Sequence, residues 1–140
     1  MYKKNFNEWA KVKPDIDSIS LLPNAHEREI WWCSIGVNIG FEEDGKNETF
    51  ERPVLVLKKY SKELCFVVPL TSKRHEGDYY FEISENSFAI LSQAKPLSTR
   101  RMLRYINKIG DKKFMDILDK FFLSLTNKGE IPPKRDFSGA

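Results

Sequence analysis

Arg52-Pro53-Val54-Leu55-Val56-Leu57, followed by Leu64-Cys65-Phe66-Val67-Val68-Pro69-Leu70 and the hydroxyl pair Thr71-Ser72, decides how this chain folds. Both runs are short, rich in valine and bounded by polar residues, which is the texture of strands rather than helices. Ser61-Lys62-Glu63 between them is short enough for a hairpin. Pro53 has no N–H and suits the first residue of a strand, whereas Pro69 marks an edge or a bulge near a strand end. Just upstream, Ile30-Trp31-Trp32-Cys33-Ser34-Ile35-Gly36 reads as another strand, followed by a loop rich in glycine and acid: Gly40, Glu42, Glu43, Asp44, Gly45, Glu48 and Glu51. If these runs are neighbours, Glu42, Arg52 and Thr71 converge at one end of a sheet.

The same strand texture spans 29–36, 53–60, 64–70, 79–83, 88–92 and 102–108, with Glu85-Asn86-Ser87 as a second hairpin turn. Six short strands imply a compact antiparallel barrel or curled sheet. Trp31 and Trp32 alternate across a strand, so one faces the core and the other faces solvent or a partner. Phe114, Ile117, Leu118, Phe121, Phe122 and Leu125 then repeat at helical spacing, with Asp111 placed to cap the helix and the apolar stripe expected on the sheet. Upstream, Phe6, Trp9 and Ala10 give one apolar side to a short helix that Pro14 should interrupt, and Asp15 to Leu22 suit a second short piece. The expected role of this preface is a strap over a sheet edge or a dimer surface. The fold class is mainly β with helices (α+β), organised as an N-terminal helical extension over 1–28, one domain over 29–126 and a flexible tail over 127–140.

A chain of 140 residues, 41% hydrophobic and 31% charged, suits one soluble core. No apolar run approaches the roughly 18 residues of a membrane span, and Met1-Tyr2-Lys3-Lys4-Asn5 leads into polar sequence, so the expected location is cytoplasmic without membrane association. A net charge of +3 does not diagnose a nucleic-acid binder. Its distribution is more informative, because Lys73, Arg74, Lys95, Arg100, Arg101 and Arg104 gather near strand ends while the acids crowd one loop. Cys33 and Cys65 lack CxxC spacing and read as buried free thiols. Gly36, Gly40 and Gly45 match no phosphate-loop pattern. His26 and His75 lie in sequence that reads as exposed turns rather than as an acid–base pair, and possible metal ligands are widely scattered. No metal or cofactor is expected.

Taken together, Glu29-Ile30-Trp31-Trp32, Gly40-Phe41-Glu42, Arg52 to Leu57, Val67 to Ser72 and Leu91-Ser92-Gln93 resemble the MazF/PemK (Kid) family of toxins from type II toxin–antitoxin modules, over about residues 28 to 125. The resemblance implies an SH3-like, CcdB/PemK-like barrel, a homodimer, a cognate antitoxin, and sequence-specific, metal-independent cleavage of single-stranded RNA. It makes Arg52 and Thr71 the essential pair, Glu42 the loop glutamate and Gln93 the glutamine after the fifth strand. Ser72, Lys73 and Lys95 complete the candidate RNA-binding set. The chain departs from the family pattern at Phe41, where serine is usual, in a longer loop before Arg52, and at Gln93-Ala94-Lys95-Pro96.

The implied chemistry suits these residue types. Attack of a ribose 2′-OH on the adjacent phosphate requires in-line positioning, a proton acceptor, and donors facing the developing negative charge. Arg52 offers a planar fork that stays charged, Thr71 a hydroxyl donor and Glu42 a carboxylate base. Two alternatives share the fold: a toxin that traps DNA gyrase, and a domain that binds RNA without cutting it.

Overall fold

The structure, a computed structural model, describes residues 2–126. Its centre is the hairpin of β2 (Glu51–Lys59) and β3 (Leu64–Thr71), with Val54 opposite Pro69 and Leu55 opposite Val68. Alternation along these strands builds two cores. Val54, Val56, Cys65 and Val67 face one side with Cys33, Ile35 and Met102, while Leu55, Leu57, Val68 and Leu70 face the other with Ile30, Ile83, Phe114 and Ile117. Because both faces are covered, Val54 to Leu57 is an unbroken buried run rather than an alternating one.

β1 (Glu29–Ser34) pairs with β2, placing Cys33 opposite Arg52, and β7 (Met102–Lys108) pairs with β1 through two register shifts. On the far side of β3, β6 (Lys95–Ser98) covers Leu64 to Val67 and β5 (Ser87–Ile90) covers Leu70 and Thr71, with β4 (Tyr80–Ser84) beyond β5. The sheet is antiparallel throughout, and its path runs β4-β5-β3-β2-β1-β7, with β6 attached to β3. The mainly antiparallel α+β class agrees with the sequence. Hydrogen bonding among the described residues does not close the sheet into a complete barrel.

Several boundaries differ from expectation. Pro69 is buried within a central strand, not at an edge; it lies where β3 changes partner from β6 to β5, in the gap between two ladders. β2 starts at Glu51, so Pro53 is its third residue. Among the described residues there are seven strands rather than six, because β6 escapes pattern recognition: it is four residues long and carries Pro96, which is tolerated on a strand bonded to β3 alone. Trp31 packs against the second core and meets Tyr105 edge-on at 5.8 Å, while Trp32 lies under the Arg104 guanidinium.

Helix α2 (Asp111–Ser124) buries Phe114 and Ile117 and packs Leu118 and Phe121 on the sheet, but Phe122 and Leu125 remain exposed. Gly110, not Asp111, is the N-cap; Asp111 occupies the first turn and pairs with Arg28. At the other end of the chain, α1 (Phe6–Asp17) is a single helix that continues through Pro14. Asn5 caps it by accepting from Glu8 N–H at 3.1 Å, and it stops one turn past the proline, where Ser18 N–H donates to Pro14 C=O at 3.1 Å. Pro14 therefore lies inside the helix without dividing it. Trp9 buries itself against Val37 and Phe50 at the two stems of the acidic loop. Gly36 makes that approach possible, since a Cβ there would stand 2.3 Å from the Trp9 ring. The tail expected over 127–140 lies outside the described residues.

Both cysteines are buried and unbridged, and burial pushes the Cys33 thiol up to about 12. A thiol reagent is expected to label neither cysteine in the native protein at pH 8 and both in denaturant; rapid native labelling of Cys33 would contradict its burial. Because the folded thiol titrates above its ordinary value of 9.0, its contribution to stability is present below that value and is lost as pH rises toward about 12.

Candidate active site

β2 and β3 are neighbours, so Arg52 near the start of one and Thr71 at the end of the other reach the same end of the sheet. Thr71 Oγ1 accepts from Lys73 N–H at 3.2 Å, which leaves its own O–H free to donate to a ligand. The Arg52 side chain is 13% exposed and firmly held: Nε donates to Asp44 C=O at 2.9 Å, Nη1 to Leu70 C=O at 3.1 Å, and Nη2 faces the Glu43 carboxylate at 3.0 Å. The loop thus delivers its second glutamate to the arginine. Glu42 turns back on its own loop, its Oε1 accepting from Ile39 N–H at 3.3 Å.

Arg52, Thr71, Lys73 and Glu42 all line one cleft of about 530 Å³, together with Glu43, Asp44, Lys46 and His75. A smaller hollow of about 230 Å³ shares Lys46, Arg52, Thr71 and Lys73 and adds Ser72 and Trp32, so the groove runs past the guanidinium on two sides. Glu42, Arg52 and Thr71 thus line the same cleft, while the carboxylate that meets the guanidinium is that of Glu43. Gln93 stands apart in role: its Oε1 accepts from Glu43 N–H at 3.1 Å and its Nε2 donates to Phe41 C=O at 3.0 Å, so the amide clamps the loop from below. Lys95 is on β6 opposite Val67, outside the lining of either hollow. Partial burial, and secondarily the nearby Arg101, lowers the pKa of its ammonium.

Aromatic groups edge the larger cleft. Phe41 is 99% exposed at its lip, following Gly40 with its φ of +56°, and the His75 ring stacks on Tyr80 at 4.4 Å. His26 lies elsewhere, 4.0 Å from Glu29, so the histidines do not share this site. Sequence reasoning missed Glu43, the Asp44 carbonyl, Lys46, and the approach of Tyr2 and Lys4 to the loop. No local signal marks these contacts, which depend on how the loop folds. Among the described residues, no group of three or more His, Cys, Asp or Glu side chains is placed to hold a metal ion, and no helix is long and apolar enough to cross a membrane.

The geometry defines a small curled-sheet protein whose cleft presents a guanidinium, a hydroxyl and carboxylates from two central strands and one loop. Residues 26–125 match the family described as the PemK-like, MazF-like toxin of type II toxin–antitoxin systems, and the chain belongs to that family. An endoribonuclease from a mycobacterial species is similar in fold, with a TM-score of 0.58 at 10% identity over 76% of this chain and 95% of that one. An endoribonuclease in complex with its cognate antitoxin, also mycobacterial, gives 0.55 at 11% identity over 73% and 95%. MazF from Deinococcus radiodurans gives 0.57 at 16% identity over 74% and 96%. Among curated proteins, none matches the chain.

Proposed function

We propose that this toxin-family protein is an endoribonuclease that cleaves single-stranded RNA at a specific sequence, without a metal ion. The observation that carries the reading is the convergence of Arg52, Thr71 and Glu42 on one cleft. Glu42 accepts the proton of a ribose 2′-OH as that oxygen attacks the adjacent phosphorus. The bond to the 5′ oxygen breaks, that oxygen takes a proton from water in the open cleft while Glu42 returns its own to solvent, and the products are a 2′,3′-cyclic phosphate and a 5′-hydroxyl. Arg52 and the Thr71 hydroxyl face the charge that develops on the non-bridging oxygens. The guanidinium is held rigidly by two backbone carbonyls, so little reorganisation accompanies the reaction. Substrate phosphate replaces Glu43 on its remaining face. Ser72, Lys46 and Lys73 line the path of the backbone, and Phe41 with the His75–Tyr80 pair offers π-faces to unpaired bases.

A homodimer restrained by a cognate antitoxin completes the proposal; the mycobacterial endoribonuclease bound to its antitoxin supports the partner. One observation favours a second reading. The Glu43 carboxylate already neutralises Arg52, as would suit a protein that binds RNA and turns over slowly. Incubating the purified protein with a long single-stranded RNA and the matching DNA in EDTA, and mapping the new ends, separates the two. Discrete cuts at a recurring short sequence in RNA, with DNA intact, are expected. RNA binding without cuts would select the second reading.

A further inference from the structure

The family match begins at residue 26, so α1 and the segment before it lie outside the part that defines the family. That segment nonetheless reaches the cleft. The Lys4 ammonium donates to Asn38 C=O and, at 3.0 Å, to Gly40 C=O, and it sits 3.3 Å from Asp44 Oδ2. The Tyr2 hydroxyl donates to the same carboxylate oxygen at 3.0 Å, and Asn38 N–H donates to the other at 2.6 Å. Asp44 in turn gives its backbone carbonyl to Arg52 Nε. Lys4 is thus connected to the guanidinium through a single intervening residue, Asp44. Both ends of this connection are well enclosed, with the Lys4 and Asp44 side chains 23% and 11% exposed.

The contacts have a physical reason to matter. Glu42, Glu43 and Asp44 place three like charges in succession on a loop that carries two positive-φ glycines, Gly36 and Gly40. Their repulsion favours an open loop, and one ammonium inserted among the loop's oxygens opposes it. Trp9, wedged against Gly36 and Phe50 at the loop's stems, anchors the helix that holds Lys4 in place.

We infer that Lys4 is a positioning residue of the cleft: through Asp44 it fixes the acidic loop and hence the Arg52 guanidinium, so the N-terminal arm is a working wall of the site. The inference rests on the ribonuclease reading above. Its test is steady-state RNA cleavage by full-length Lys4→Met, Lys4→Arg and Lys11→Ala variants, with amide hydrogen exchange of residues 36–45. Lys11, 72% exposed and paired with Glu8, is the control on the helix that follows Lys4. Lys4→Met is expected to lower kcat about 10- to 100-fold with KM changed less than about threefold, the scale of loss that small misplacements near a reacting centre produce. Lys4→Arg, which keeps charge and donors, is expected to recover most of that loss, Lys11→Ala to match wild type, and loop amides to exchange faster in Lys4→Met. A fully active Lys4→Met would overturn the inference alone. So would an equal loss in Lys4→Met and Lys4→Arg with loop exchange unchanged. A wild-type protein that does not cut RNA would instead remove the reading beneath it.

Discussion

Arg52→Ala is expected to reduce RNA cleavage by about 10³-fold or more while leaving a folded protein. The guanidinium is the one permanently charged donor fork in the cleft that is both largely enclosed and held by backbone acceptors on adjacent elements. Removing a single preorganised donor to developing charge costs about 10²–10³ in kcat, and an arginine acting on a phosphoryl group is worth about 10³–10⁵. Alanine deletes every donor at once, so the larger range applies. The fold should tolerate it at a cost of about 1–3 kcal/mol, because only the carbonyls of Asp44 and Leu70 lose a partner and their residues line the two hollows. Glu43, 27% exposed, can turn to water. Arg52→Lys should recover little, since an ammonium cannot reproduce a planar fork that binds two carbonyls and a phosphate together. Cleavage rates beside thermal melting curves decide the matter. An Arg52→Ala protein that melts normally and cuts at the wild-type rate would end the proposed mechanism.

How much of this was legible in the sequence depends on the range of the interactions involved. β2 and β3 declare themselves because short valine-rich runs bounded by polar residues are a local signal, and their hairpin fixes Arg52 and Thr71 on one sheet end through nothing but short-range connection. The N-terminal helix runs through Pro14, a breaker by residue type, and the long-range anchoring of Trp9 at Gly36 and Phe50 that supports it has no local signal. β6 was missed because a four-residue strand containing Pro96 is stabilised entirely by its pairing with β3. The loop is the hardest case. Glu42 and Glu43 are adjacent and chemically alike, and nothing local says which meets the arginine. Gln93 decides it from fifty positions away by holding Phe41 C=O and Glu43 N–H, and Lys4 by holding the loop's other flank.

That division between neighbours makes the second large effect testable. Glu42→Gln is expected to lower kcat about 10²–10³-fold, within the range lost with a positioned general base. The substitution keeps size and can still accept from Ile39 N–H, so the loop stays in place while the proton acceptor is lost. Glu43→Gln should behave differently. It removes the carboxylate that competes with substrate for Arg52, so phosphate binding tightens and KM falls, while kcat is kept. Salt does not blur the contrast: screening weakens the exposed contacts of RNA with Lys46 and Lys73 in both variants alike, leaving the difference in kcat intact. An unaltered rate in Glu42→Gln together with a dead Glu43→Gln would exchange the two roles and make the residue that grips Arg52 the base. Equal, modest losses in both would mean that neither carboxylate takes the proton, and that catalysis here rests on the arginine clamp and substrate alignment.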